Sequence, residues 1–401
     1  MSYSDLIAVQ VLTHNHANVV ADVLEKCAEH YKRCGIEIYY YDSSTNDETR
    51  RIICDYNEKG YDNLIYVPLE PDTSVYSKRD MVYSGYAFNR DYKYVWISKD
   101  RAYVEESALM EILEAAEQSF DVIVTASREG DKTIIDSAEE LYYRWAPISS
   151  SMNSVILNRF TILDDYVAPV CSDDTENCYL MDFGHYYTLF EKLSRMNQPK
   201  IARIDMRNRI HNSDLEPPTW EKRVFTIWKD RWIAVNDALP EIYDPYKEYI
   251  IKKVAGLPWI LAERERLLQL HDMGVLTPET LPHALDGWER ISDIPKEVVM
   301  DIANGTYDIR YDLTQIQDRN DTTRILVEMI GYVADGRMAK EQIPLDDLAT
   351  AIKMEVAKDE DKARVFIRIG AVASIIDQIK NEDVDRERLA RLLQELIAYI
   401  I

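Results

Sequence analysis

The residues of this chain that can do chemistry stand at the ends of short apolar runs. Leu6-Ile7-Ala8-Val9-Gln10-Val11-Leu12 stops at Thr13-His14-Asn15. Ile36 to Tyr41 stops at Asp42-Ser43-Ser44, and Tyr94-Val95-Trp96-Ile97 stops at Ser98-Lys99-Asp100. Carboxylates in such places accept from N–H and O–H groups, and Asp42 equally suits a turn before a helix. Arg79, in Ser77-Lys78-Arg79-Asp80, carries the donor fork that matches phosphate oxygens; a solvated helix arginine is the plainer alternative. Asp182, in Met181-Asp182-Phe183-Gly184-His185, opens a run of apolar residues at helical spacing and has the chemistry of an N-cap. His211 stands alone, as structural histidines do. Arg203, Arg207 and Arg209 just before it form a local basic patch or alternate exposed strand positions.

The elements that position these groups follow from periodicity. The apolar runs above, with Leu64-Ile65-Tyr66-Val67 and Phe120 to Ala126, read as five strands, and the first suits burial on both faces. Between them, Val20, Val23, Leu24, Cys27 and Tyr31 form one helical stripe, ended by Gly35, and Ile52, Ile53 and Tyr56 form another. That second helix is expected to be capped by Ser44 or Thr45. Residues 74–90 and Glu106 to Ala116 also read as helices. Alternating strand and helix predicts a largely parallel, helix-covered sheet, whose ligands sit beyond the carboxyl ends of the strands. Thr13, Asn15, Asp42 and Asp100 stand at those ends. Trp145, Tyr142 and Tyr143 precede a further strand near 147–159 and suit sugar stacking or, for at least one of them, the core. From about 247 onward the signal is helical, with stripes at Leu345, Leu348, Ile352 and Val356 and at Leu389, Leu392, Leu393, Leu396, Ile397 and Ile400. A domain boundary is expected near the prolines at 240 and 245, dividing 1–245 from a helical 246–401.

In order and spacing, the segments Val9 to Asn15, Tyr39 to Asp47, Ser77 to Asp80 and Trp96 to Asp100 resemble the family-2-type glycosyltransferases with the GT-A fold, across about 100 residues. The resemblance implies that Thr13, Asn15 and Asp42 contact the base and ribose of a nucleotide-sugar, a UDP-sugar first. It implies that Arg79 approaches the diphosphate, and it places His14, Ser44, Ser98 and Lys99 among the donor-binding residues. It makes Asp100 and His211 ligands of a Mg²⁺ or Mn²⁺ ion that neutralises the leaving group. The family carries Asp-x-Asp or a similar acidic cluster where this chain has Ser98-Lys99-Asp100, so Lys99 either supplies positive charge itself or points to solvent. The resemblance also makes Asp182 the base that takes the acceptor hydroxyl's proton, with inversion; Met181 replaces the family's Glu, and Asp173, Asp174 and Glu176 compete for the role.

Composition bounds the rest. The 401 residues carry 47 Lys and Arg against 71 Asp and Glu, a net charge of −24. That opposes nonspecific binding to nucleic acid or anionic lipid, while leaving room for a small basic pocket. Five cysteines, an odd number, do not make a disulfide framework and suggest a reducing compartment. Met1-Ser2-Tyr3-Ser4-Asp5 lacks a basic leader and no apolar run reaches about 18 residues, so a soluble cytoplasmic protein with no membrane span is expected. Gly-x-Gly-x-x-Gly, Walker and Gly-x-Ser-x-Gly loops and zinc spacings are all missing. The expectation is therefore a glycosyltransferase acting on a glycan, protein or cell-envelope polymer. The alternatives are a GT-A-like scaffold that has lost catalysis and, less favoured for want of a Gly-rich loop, a nucleotidyltransferase. The helical part is expected to dock on the catalytic domain, bind acceptor, or pair two chains through the apolar Tyr399-Ile400-Ile401 end.

Overall fold

The computed structural model describes residues 6–126, 134–168, 178–215, 220–255, 260–261, 263–307, 319–359 and 362–400. In chain order the elements are β1 (Ile7–Thr13), α1 (Ala17–Arg33), β2 (Glu37–Asp42), α2 (Glu48–Glu58), β3 (Leu64–Pro68), α3 (Val75–Tyr83), β4 (Tyr94–Lys99), β5 (Ala102–Val104), α4 (Glu106–Glu117) and β6 (Val122–Ala126). There follow β7 (Ile134–Ile135), α5 (Ala138–Ser149), β8 (Val155–Asn158), α6 (Leu180–Leu193), β9 (Ile201–Asp205), β10 (Ile210–Asn212), a π-helical turn at Thr226–Arg231 and α7 (Trp232–Ala238). The remainder is helical: α8 (Lys247–Ala255), α9 (Arg264–Asp272), α10 (Leu281–Leu285), α11 (Trp288–Ile291), α12 (Lys296–Ala303), α13 (Arg319–Ala334), α14 (Leu345–Val356), α15 (Lys362–Asn381) and α16 (Arg386–Ile400).

An eight-stranded sheet in the order β3-β2-β1-β4-β8-β6-β9-β7 forms the centre. β3, β2, β1 and β4 are parallel neighbours, β8 runs antiparallel between β4 and β6, and β9 is parallel to β6. This is the mostly parallel, helix-flanked α/β sheet that the GT-A resemblance implied, followed by a helical C-terminal part. Every residue of β1 is buried, as a strand covered on both faces requires. Val9, Val11, Ile38, Tyr40 and Trp96 pack one face against Val20, Leu24 and Tyr31 of α1 and Leu109 and Ile112 of α4. Helices α3, α5 and α6 belong to the opposite side, where Phe183 and Tyr186 of α6 meet Trp228 and Trp232 edge to face or tilted, with ring centroids 5.0–5.2 Å apart, and Phe190 packs on Tyr186 at 4.8 Å. Tyr142 and Trp145 are buried, consistent with the core reading for these aromatics.

Several details differ from expectation. Helix α2 starts after Asp47, because Ser44 turns inward to Asp42 instead of capping. Two compact units cover Met1–Gly305 and Thr306–Ile401. The expected boundary at 245 falls inside the first, since α8 packs on α5 and α7. In the second unit α13 packs on α16 and α14 on α15, around Leu326, Met329, Leu348, Ile352, Leu393 and Leu396. Of the apolar chain end, Ile400 is buried within that bundle and Tyr399 is half-buried, while Ile401 lies outside the described residues. Cys27, Cys34 and Cys54 are free, the first two buried, whereas Cys178 is disulfide-bonded, against the expectation of a wholly reduced set. No described helix is long and apolar enough to cross a membrane.

One packing contact ties α3 to α6. The guanidinium of Arg79 lies against Gly184, and a Cβ built there would overlap it. Arg79 cannot swing aside cheaply, since it is buried and donates to the Leu180 carbonyl and the Asp80 carboxylate. Gly184→Ala is expected to cost roughly 1–3 kcal/mol of stability in urea melts. Gly370→Ala, on a helix with open space around it, should be neutral or stabilising by up to about 1 kcal/mol.

Candidate functional site

The sheet order reverses at β1: the chain steps outward through β2 and β3, then returns to place β4 on the other side. A crevice opens beyond the strand ends at such a reversal, and ligands of open α/β sheets collect there. The registers bring Thr13 beside Asp42 and Leu12 beside Lys99, so three of the expected segments share one rim. Asn15 takes the left-handed conformation (φ 55°), which asparagine tolerates better than most residues. Its amide N–H donates to Ser44 Oγ (2.7 Å) and its Oδ1 accepts from the Thr45 amide (3.0 Å), stitching the β1 loop to the β2 loop. His14 Nδ1 bonds the Ser43 carbonyl (3.1 Å). His14, Asn15 and Ser44 thus form the accessible rim, with Thr13 and Asp42 buried behind it. Asp42 accepts from the Ser44 amide and hydroxyl and from Tyr66 Oη.

Sequence reasoning placed Arg79 at the strand ends, and the structure places Lys78 there. Successive helix residues point about 100° apart. Arg79 therefore faces α6, 1% exposed, while the Lys78 ammonium reaches the Thr13 carbonyl at 2.5 Å. Burial lowers the Lys78 pKa to about 8, against the opposing pull of Asp42 and Asp100. The basic patch disperses likewise: Arg203 is buried over Trp145, Arg207 pairs with Asp205, and Arg209 pairs with Glu111.

The two expected metal ligands bond different neighbours. Asp100 Oδ2 lies 2.9 Å from His16 Nδ1. His211, on β10, bonds Glu105 at 3.0 Å and stacks on Tyr103. Among the described residues no group of three His, Cys, Asp or Glu side chains converges as metal ligands. Lys78 also lies close enough to Asp100 to feel its charge.

Lys99 links the rim to a cavity of about 450 Å³, also lined by Pro147, Ile148, Ser150, Ser151, Met152, Ser154, Asp182, Phe183, His185, Trp220, Ile227 and Trp228. Lys99 is exposed into this cleft, yet the surrounding protein, and secondarily Arg101, hold its pKa below the ordinary lysine value, with Asp100 opposing. Ser98 is buried and donates to the Lys99 carbonyl. Asp182 is not an N-cap. It sits in the first turn of α6, beside a break at Phe183 (φ −116°, ψ 17°), and its carboxylate pairs with Arg231 and, at 3.6 Å, Arg223. Its sequence rivals Asp173, Asp174 and Glu176 lie outside the described residues. The π-helical turn delivers Ile227 and Trp228 to the cavity and Arg231 to Asp182. π-Turns of this kind are frequent at functional sites. Sequence reasoning missed His16, Lys78 and His185; the segment carrying Lys78 stood out, but its orientation did not.

No family model and no curated protein matches the chain. Solved structures similar to it include S. aureus TarS (13% identity, TM-score 0.47, covering 73% of this chain and 50% of that one). This chain therefore spans about half the length of TarS. S. aureus TarS 1–349 in complex with UDP-GlcNAc matches at 12% identity and TM-score 0.47 over 93% and 92% of the two chains. Mannosyltransferase PcManGT from Pyrobaculum calidifontis, in complex with GDP-Man and Mn²⁺, matches at 13% and 0.40 over 74% and 85%.

The buried Lys78 sets a pH dependence. The unfolded chain holds this proton to about pH 10.5, the folded chain only to about pH 8. Between those values the unfolded state binds more protons, so the contribution of this group to stability rises with pH; below about pH 8 the burial penalty is felt in full. Urea melts from pH 7 to 10.5 should show that rise, on the order of 3 kcal/mol, and Lys78→Met should lack it.

Proposed function

We propose that this protein is a nucleotide-sugar-dependent glycosyltransferase, with a UDP-sugar as donor and a hydroxyl of a glycan, protein or cell-envelope polymer as acceptor. The observation that carries the reading is the continuity of the rim at the β1/β4 reversal, through Lys99, with the cavity holding Asp182. A nucleoside fits the first part: His14, Asn15 and Ser44 offer polar groups to base and ribose, backed by the Asp42 carboxylate. Lys99 and Lys78 are the cations nearest the strand ends and counter the charge of a diphosphate. The cavity receives the sugar. An acceptor oxygen attacks the anomeric carbon as the bond to the diphosphate oxygen breaks; its proton passes to Asp182, oriented by Arg231, and the configuration inverts.

Calorimetric titration of UDP and GDP, with and without Mn²⁺, tests the donor site. UDP should bind without added metal, and Asp42→Asn or Lys99→Met should weaken it about tenfold or more. Binding that needs Mn²⁺ and is lost in Asp100→Ala would return the charge-neutralising role to a cation. Failure of both nucleotides to bind would sink the enzyme reading in favour of a scaffold. Asp182→Asn should leave UDP affinity within about twofold and lower kcat by about 10²–10⁴. An NMR assay that finds the anomeric configuration retained would remove Asp182 from the role of base.

A further inference from the structure

Helix α15 has a face that the packing of its own unit leaves unused. Val372, Ile375, Ile376 and Ile379 turn its buried side toward the bundle. At about 100° per residue, the opposite side carries Phe366, Ile367, Gly370, Ala373 and Ser374, and all five are exposed. Phe366 is 81% exposed and Ile367 70%. Single apolar side chains at a surface need no explanation, but two large ones followed by three small residues along one stripe do. Beyond the backbone of the helix itself, no atom lies within 4 Å of a Cβ built at Gly370, so the middle of the stripe is open. Opposite charges stand at its ends: Lys362 at the start of the helix and Asp377 just past Ser374, both exposed.

The order of these residues is complementary to its own reverse. When two such helices lie antiparallel about a two-fold axis at Gly370, helical geometry sets Phe366 against the partner's Ala373 and Ile367 against the partner's Ser374. Large side chains then meet small ones, and glycine faces glycine where the two backbones come closest. The same operation brings Lys362 beside the partner's Asp377. A parallel pair would instead set Phe366 on Phe366 and Asp377 on Asp377, so charge and size choose the same direction. We propose that α15 pairs with α15 of a second copy of this chain, antiparallel, in a two-fold contact centred on Gly370. The net charge of −24 and the carboxylate within the stripe disfavour an anionic membrane as the occupant. Repulsion between two acidic copies is screened beyond about 8 Å at physiological salt, while the pairing of Lys362 with Asp377 acts at contact. One helix pair is a small interface, so the association is expected to be reversible and in the micromolar range. It does not depend on the donor site proposed above.

Sedimentation equilibrium of the full chain, over roughly 1–100 µM at about 0.15 M salt, reads the pairing directly. The mass should rise from one chain toward two across that range. Phe366→Glu should raise the dissociation constant about tenfold or more. Gly370→Leu is the sharper probe. It adds apolar surface and keeps a good helix former, so general stickiness would increase, whereas a close helix crossing is lost and the chain should stay monomeric. Lys362→Glu should weaken the pair roughly two- to fivefold, and adding Asp377→Lys should restore it. Thermal melts at a concentration where the unaltered chain is monomeric should not change in any of these variants, which separates association from folding. A monomer at every concentration overturns the pairing, as does a dimer that survives both Phe366→Glu and Gly370→Leu. An assembly larger than two chains overturns the closed two-fold contact. A monomer that floats with phosphatidylserine vesicles, and no longer does so in Phe366→Glu, overturns it in favour of a membrane surface.

Discussion

A buried guanidinium has to be satisfied where it lies, and the Arg79 side chain meets that requirement by joining parts of the chain that would otherwise be independent. It donates to the Leu180 carbonyl at the start of α6 and to Asp80, which in turn accepts from Tyr166. Its flat face rests 4.6 Å from the Tyr76 ring centroid. The geometry leaves no room for a side chain at Gly184. Since Lys78 precedes Arg79 on α3, and Gly184 lies between Asp182 and His185 on α6, this contact fixes the spacing between the strand ends and the cavity. A lysine in place of Arg79 could not make the same set of bonds, because it lacks the planar fork.

The same constraint distributes charge. The chain is acidic overall, yet the ends of β1, β2 and β4 gather Lys78 and Lys99 against Asp42 and Asp100. Neither lysine is free to wander: one is buried on the Thr13 carbonyl, the other stands in the cleft with its proton affinity lowered. A cation kept partly desolvated attracts an anionic ligand more strongly than one in bulk water, because fewer water dipoles must be displaced and the local dielectric is lower.

How much of this was legible follows from the range over which each interaction acts. Strands β1, β2 and β4 were readable because a run buried on both faces leaves an unbroken apolar signature, and the polar residues that end it mark the ligand side of the sheet. The stripes of α14 and α16 were readable for the same reason at helical period, and Leu348, Ile352, Leu393 and Leu396 are buried as their spacing implied. Asp182 was read at a helix start, and it sits in the first turn of α6. What stayed hidden depends on side-chain direction or on distant partners. Lys78 and Arg79 are adjacent, and which of them faces the strand ends depends on the rotation of α3 about its axis, set by its packing on α6. The bond from His16 to Asp100 joins residues 84 apart. Neither Ser44 nor Thr45 caps α2, because the Ser44 hydroxyl donates to the buried Asp42 carboxylate and the Thr45 hydroxyl to Asn15 Oδ1, and the helix begins after Asp47. The helices after 245 carry no mark saying which unit they pack on.

The aromatic cluster on the far side of the sheet explains why the cavity has a definite shape. Phe183, Trp228 and Trp232 interlock edge to face or tilted, while Tyr142 and Tyr186 both donate to Asn236 Oδ1, whose own amide donates to the Trp232 carbonyl. The π-helical turn fits this arrangement by widening one turn of backbone, which places Trp228 and Arg231 on the side facing α6. Aromatic rings resist small displacements because their contacts are numerous and directional. The position of Trp228 in the cavity wall, and through Arg231 the orientation of the Asp182 carboxylate, are therefore held by packing that no ligand has to supply. A wall fixed in advance binds with less loss of freedom than one that must form around its guest.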